Sequence, residues 1–156
     1  MFIVNNLKKL GFETDHKPKN LAFYKPYTIS NNLIFISGQL PTLNSEIIFS
    51  GKIGEDLSEN DAKKAVRQAT CNLLLTLNLA ISENNLKKNF IKMTNLKGYI
   101  NSNSNFFNHS KILNEASEMV VYVMGEKNGM HSRSVIGVNS LPFNSSVEIE
   151  GIFSIS

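Results

Sequence analysis

The sequence predicts an α+β domain in which two helices lie on one face of a mixed β-sheet. Three features carry this reading. Two segments, near residues 58–80 and 110–124, repeat apolar residues at helical spacing. Five others read as strands, and the order strand, strand, helix, strand, helix, strand, strand is an α+β pattern with too few helices to cover both sheet faces. The chain is 156 residues long and 42% hydrophobic, enough for a single core over residues 1–156 without disulfide or metal staples.

The first element is a short terminal helix over residues 2–10, with Ile3, Leu7 and Leu10 on one stripe and Gly11 as its stop. It reads as a docking element. Residues 12–22 are polar and contain Pro18, which suggests an extended linker within the domain. LIFISGQLP is apolar on both faces, as a buried strand should be, and IIFSGKIG reads as its hairpin partner.

Ser58, with Asp61 three residues on, makes a capping-box-like start for a helix whose stripe is Ala62, Ala65, Val66, Ala69, Leu73, Leu77 and Ala80. A polar turn at residues 82–85 leads to a strand over 90–100. A second helix over 110–124 turns Ile112, Ala116, Met119, Val120 and Val123 inward and ends at Gly125. Strands near 133–138 and 147–155 close the chain. Two helices cover one face of so apolar a sheet, so its second face is expected to pack against a copy of itself.

Composition excludes several functions. The only cysteine, Cys71, permits no intramolecular disulfide and no zinc-type cysteine cluster. His16, His109 and His131 lack metal-ligand spacing, and His131, close to Gly129, reads as a loop residue; no metal or cofactor is expected. There is no Gly-rich phosphate loop, nucleophile elbow or HExxH motif. The absence of an apolar run of membrane length and of a signal-peptide pattern in MFIVNNLKKLGF gives an expectation of a cytoplasmic protein with no membrane partner. Net charge is +3, and the lysine pairs at 8–9, 63–64 and 87–88 are dispersed, which disfavours nucleic acid as a partner.

Two positions stand out. The chain has 16 Lys+Arg, and only Arg67 and Arg133 are arginine. Arginine offers a planar fork that holds a carboxylate through two parallel hydrogen bonds, so Arg133 is a candidate ligand grip; a salt bridge to a nearby glutamate is the structural alternative. In VEIEGIFSI the period-two rule puts Val147, Ile149, Gly151, Phe153 and Ile155 on one face and Glu148 and Glu150 on the other. These carboxylates fit either an edge strand with a solvated charged face or a general acid/base group sharing a pocket with Arg133. Tyr24 and Ser37-Gly38-Gln39 read as strand-end groups with no signature of their own.

Taken together, YKPYTISNNLIFISGQLP, GKIGEDLSENDAKKAVRQATCNLL and HSRSVIGVNSLPFNSSVEIEGI resemble the Rid/YjgF family of reactive-intermediate deaminases, formerly called L-PSP endoribonucleases. The likeness spans residues 21–155, and its most specific parts are S-G-Q-L-P at 37–41 and R-S-x-x-G-V-x-x-L-P followed by V-E-I-E, with Glu148 fifteen residues after Arg133. The resemblance implies a chorismate-mutase-like fold and a homotrimer with sites between subunits. It implies that Arg133 binds the carboxylate of a 2-imino or 2-enamino acid such as 2-aminoacrylate, that Glu148 positions the hydrolytic water, and that no cofactor takes part. By the same match Tyr24 lines the pocket, Gly38 lets backbone approach the ligand, and Asn114 sits on the second helix near the cleft. Val135 stands where many catalytic members have cysteine. Residues 1–20 form an N-terminal extension, and the MGEKNGMH loop before Arg133 is longer than usual, as in a longer branch of the family. A non-catalytic trimeric carboxylate binder and, less favoured, an endoribonuclease or translation inhibitor are the alternative functions.

Overall fold

A computed structural model describes residues 2–15, 23–87 and 90–155. In chain order its elements are α1 (Phe2–Lys9), β1 (Tyr27–Ser30), β2 (Leu33–Gln39), the short β3 (Thr42–Leu43) and β4 (Glu46–Ile47), and α2 (Glu59–Glu83). Then follow β5 (Ile91–Asn101), α3 (His109–Met124), a single turn α4 (Glu126–Gly129), β6 (Ser132–Val138), a 3₁₀ turn at Pro142–Asn144 and β7 (Val147–Ile155). Part of the expected linker, residues 16–22 with Pro18, lies outside the described residues.

The main sheet has the order β1-β2-β7-β5-β6. All its pairs are antiparallel except β5 with β6, so the sheet is mixed, as expected. α2 and α3 pack on one face, and the expected stripes of both helices are buried. Ser58 caps α2 by accepting from the Asp61 backbone N–H at 3.1 Å. Gly125, at φ 80°, closes α3.

α1 docks on α2 and α3 instead of on the sheet. Its Ile3 and Leu7 are 1% and 0% exposed, and Asn6 Nδ2 donates to the carbonyl of Val123 at 3.0 Å. Gly11 follows it at φ 84°, where a side chain would be strained.

Two expectations are corrected. IIFSGKIG is not the hairpin partner of β2: only Ile47 joins a two-residue strand, paired with Thr42, and the remainder is a loop with isolated bridges from Ser50 and Ile53. The hairpin partner is β1, joined through Asn31-Asn32, with Asn31 at φ 50°. Asparagine tolerates this left-handed conformation, and the dipeptide was the overlooked turn signal. The second correction concerns β7, which lies between β2 and β5 in the centre of the sheet, so its glutamates do not belong to an edge strand.

The face of the sheet away from the helices carries Phe35, Ile152, Tyr99 and Ile136, placed there by pairings in register. It also carries Glu148 and the Lys97–Glu150 ion pair, 2.9 Å between Nζ and Oε1. No helix of the described residues is long and apolar enough to cross a membrane.

Because Leu7 is wholly buried, α1 should unfold with the core. Leu7→Ala is expected to destabilise the protein by about 2–5 kcal/mol. That would lower the thermal midpoint by roughly 5–15 °C. A calorimetric shift below about 2 °C would show that α1 lies outside the cooperative unit.

Candidate functional site

The pleat decides which candidate residues can meet. Leu96 of β5, fully buried beneath the helices, is in register with Arg133 on one side and Gly151 on the other. Tyr99, three residues further along β5, points to the opposite face and is in register with Glu148. Arg133 therefore projects on the helix side of edge strand β6, and Glu148 projects from central strand β7 on the open side. The chain brings its two leading candidates to different faces of one sheet.

On the helix side, Arg133 is held entirely by neutral acceptors. Its NH1 donates to Ser117 Oγ at 3.0 Å, and its NH2 donates to Asn114 Oδ1 at 2.7 Å and to the Ser110 carbonyl at 3.3 Å. Among the described residues no carboxylate forms an ion pair with it, which removes the salt-bridge alternative. A guanidinium has five N–H groups, and these three bonds leave two for a ligand. Asn114, Ser117 and Val121 are spaced along one face of α3 and, with Glu118, Tyr122, Met130, His131 and Arg133, line a largely apolar groove of about 650 Å³. Asn114 lies on α3 and lines this groove beside Arg133. Val135 lies two residues from Arg133 on the same face, opposite Gly98, and packs against the core.

On the open side, Gly38 and Glu148 touch. A Cβ on residue 38 would lie 1.7 Å from Glu148 Oε1, so a side chain there would force the carboxylate out of its present position. The β2–β7 register shifts between Ile36 and Gln39, which opens the strand at this point. Buried side chains of α2 hold the exit of the strand: Asn72 Nδ2 donates to the Leu40 carbonyl at 2.9 Å and Gln68 Nε2 to the Thr42 carbonyl at 3.1 Å. Tyr24 is half exposed and lies beside Lys25, whose carbonyl accepts from Ser37 Oγ at 2.7 Å. It therefore lies near the Gly38–Glu148 end of the strand pair and away from Arg133.

The two glutamates have different environments. Glu150 is paired with Lys97, whereas Glu148 accepts no hydrogen bond among the described residues. Burial, and then the neighbouring charge of Glu150, hold the Glu148 carboxyl above the ordinary carboxylate range. Such a group is a better proton acceptor than an exposed glutamate and is the stronger acid/base candidate of the two.

Sequence reasoning missed Ser110, Ser117 and His131, all grouped about Arg133. The signal for Ser117 was its position three residues after Asn114, on the same helical face. His131 carried none, because its contact with Ser117 at 3.1 Å depends on how the loop after α3 folds. Among the described residues no group of three or more His, Cys, Asp or Glu side chains could hold a metal ion.

Residues 5–153 match the family described as YjgF/chorismate mutase-like, putative endoribonuclease, and the chain belongs to it. The crystal structure of Agrobacterium tumefaciens Atu1372, a protein of unknown function, is 35% identical over 99% of this chain and 93% of its own, with a TM-score of 0.89. A putative endoribonuclease from Shewanella oneidensis MR-1 is 27% identical, with 99% of each chain covered and a TM-score of 0.88. Protein TCP17 of Trypanosoma cruzi is 27% identical over 99% of this chain and 94% of its own length.

Linkage gives a test of the Glu148 environment. Its raised folded-state pKa means that ionisation weakens the folded state, an effect absent below the unfolded carboxylate range and fully present once pH exceeds the folded value. Glu148→Gln should match the wild type in thermal midpoint near pH 4 and exceed it at pH 7. A variant less stable than wild type at pH 7 would contradict this account.

Proposed function

We propose that the protein is a hydrolytic deaminase of 2-imino and 2-enamino acids of the 2-aminoacrylate type, working as a cytoplasmic homotrimer without a cofactor. The observation that carries the reading is the division of the candidates. Arg133 has a free part of its fork in a groove on one face, and Glu148 is a half-buried base on the other. Neither half is a complete site, and packing of the open face against a second copy would set the Glu148, Gly38 and Tyr24 of one subunit beside the Arg133, Asn114 and Val135 of the next.

In such a cleft the substrate carboxylate accepts from an unpartnered N–H group of Arg133, which orients the imine carbon. Glu148 accepts a proton as water adds to that carbon. Glu148 passes that proton to the imine nitrogen to give the carbinolamine, then takes the hydroxyl proton and delivers it to nitrogen as the C=O bond forms and the C–N bond breaks, so that one water and one imine yield one 2-keto acid and one ammonia. The enamine form first gains a proton at its β-carbon to become the imine. Because the imine carbon is already electrophilic, orientation and one base suffice. The apolar wall of Tyr122 and Met130 suits an uncharged substituent.

The names of relatives favour a second reading, endoribonuclease. Multiple phosphate contacts would need a basic groove. Instead Lys63, Lys64, Lys97 and Lys111 are all paired with carboxylates. A carboxylate binder without turnover is the other alternative, and a direct assay separates it.

Ammonia and 2-keto acid release should accelerate when the protein is added to a system generating 2-aminoacrylate. Arg133→Ala should reduce kcat/KM by about ten- to a hundredfold, with Arg133→Lys recovering only part. Glu148→Gln should lose kcat with KM little changed. Wild-type rates in both variants would eliminate the mechanism, and Arg133-dependent, strongly salt-sensitive RNA cleavage would favour the nuclease. Sedimentation should give a species three times the 17.4 kDa chain. A stable monomer at micromolar concentration would remove the shared cleft.

A further inference from the structure

The groove beside Arg133 contains a linear set of contacts that the proposed chemistry does not use. Arg133 NH1 donates to Ser117 Oγ at 3.0 Å, Ser117 Oγ lies 3.1 Å from His131 Nε2, and His131 Nδ1 lies 2.5 Å from the Gly129 carbonyl. A carbonyl only accepts, so Nδ1 carries the proton. In the neutral ring Nε2 then accepts, which obliges the Ser117 hydroxyl to point its hydrogen at His131 and its lone pairs at Arg133.

The start of this chain is itself fixed. Gly129 is buried at the end of α4, and a Cβ there would lie 2.7 Å from Val121 Cα. That neighbour is backbone, so only glycine permits so close an approach to α3. The Gly129 N–H donates to the Gly125 carbonyl at 2.7 Å and the Met130 N–H to the Glu126 carbonyl at 3.1 Å, which closes the turn around the histidine anchor.

We infer that His131 and Ser117 are positioning residues for Arg133, and that the α4 turn is the brace that holds them. The inference rests on the carboxylate-gripping role proposed above for Arg133. Without His131 the Ser117 hydroxyl is free to turn its hydrogen toward the guanidinium, which then loses an acceptor and its fixed orientation. The histidine touches neither substrate nor water in this role. It sets the rotor of one hydroxyl, and the hydroxyl sets the fork.

The chain's two arginines make a clean spectroscopic test possible. Arginine side-chain N–H resonances of ¹⁵N-labelled protein should show Arg133 with restricted guanidinium rotation. His131→Ala and Ser117→Ala should move its signals toward the averaged position of a free arginine, while those of Arg67, paired with Glu115 at 3.5 Å, stay unchanged. Ser117→Thr keeps the hydroxyl and should retain the wild-type pattern. In 2-imino acid hydrolysis the two alanine variants should raise KM about tenfold with kcat within about twofold, and Ser117→Thr should restore KM. Unchanged Arg133 signals in a folded His131→Ala protein overturn the inference, whatever happens to activity. Signals that respond to His131 in a wild-type protein with no imine hydrolysis would sustain the positioning role and remove the deaminase reading.

Discussion

The strict alternation of β7, held in the middle of the sheet, is the constraint on which the remaining architecture depends. Val147, Ile149 and Phe153 are fully buried beneath the helices, so a one-residue slip would drive Glu148 and Glu150 into the core. Burial of one set of side chains thus fixes the direction of the other. It also decides who the neighbours are: the Glu148 carboxylate occupies the space that a side chain on Gly38 of β2 would take, and Tyr99 and Lys97 on β5 share its face.

The same pleat, carried one strand further, sends Arg133 to the opposite side. There its hydrogen-bond partners are uncharged: an amide oxygen, a hydroxyl and a backbone carbonyl. Neutral acceptors orient a guanidinium without cancelling its charge, whereas a carboxylate neighbour would compete with an anionic ligand. Glu148 shows the complementary arrangement, since Lys97 on its face is taken by Glu150 and its own charge stays uncompensated. One chain therefore presents an unneutralised cation and an unneutralised base, separated by the thickness of its sheet.

Much of the fold was legible because it depends on local rules. The Ser58–Asp61 cap, the stripes of α2 and α3, the Gly125 stop and the inward and outward sets of β7 are all written at spacings of two to four residues. β1 was missed as the partner of β2 because its four residues, YTIS, are mostly exposed and carry little apolar pattern, so that the asparagine turn between Ser30 and Leu33 was the main mark of the hairpin. For the site, Arg133, Glu148, Gly38 and Asn114 were legible as residue types in a family pattern, whereas His131 was not. A histidine's role depends on what each ring nitrogen faces, and here both contacts are created by the turn that follows α3.

The sequence by itself determined the α+β class, the two helices with their buried faces, the placement of Glu148 and Glu150 on the face of β7 away from the core, and the family to which the chain belongs. These follow from periodicity, capping and ordered motifs, all of which are properties of neighbouring residues. Only the tertiary structure decided that β7 is central, that β6 is an edge strand parallel to β5, that Arg133 and Glu148 lie on opposite faces, and that Gly38 yields its space to a carboxylate. Those outcomes depend on which strands become neighbours and in what register. Such pairings arise from burial of the whole core at once, and no short stretch of the chain contains them.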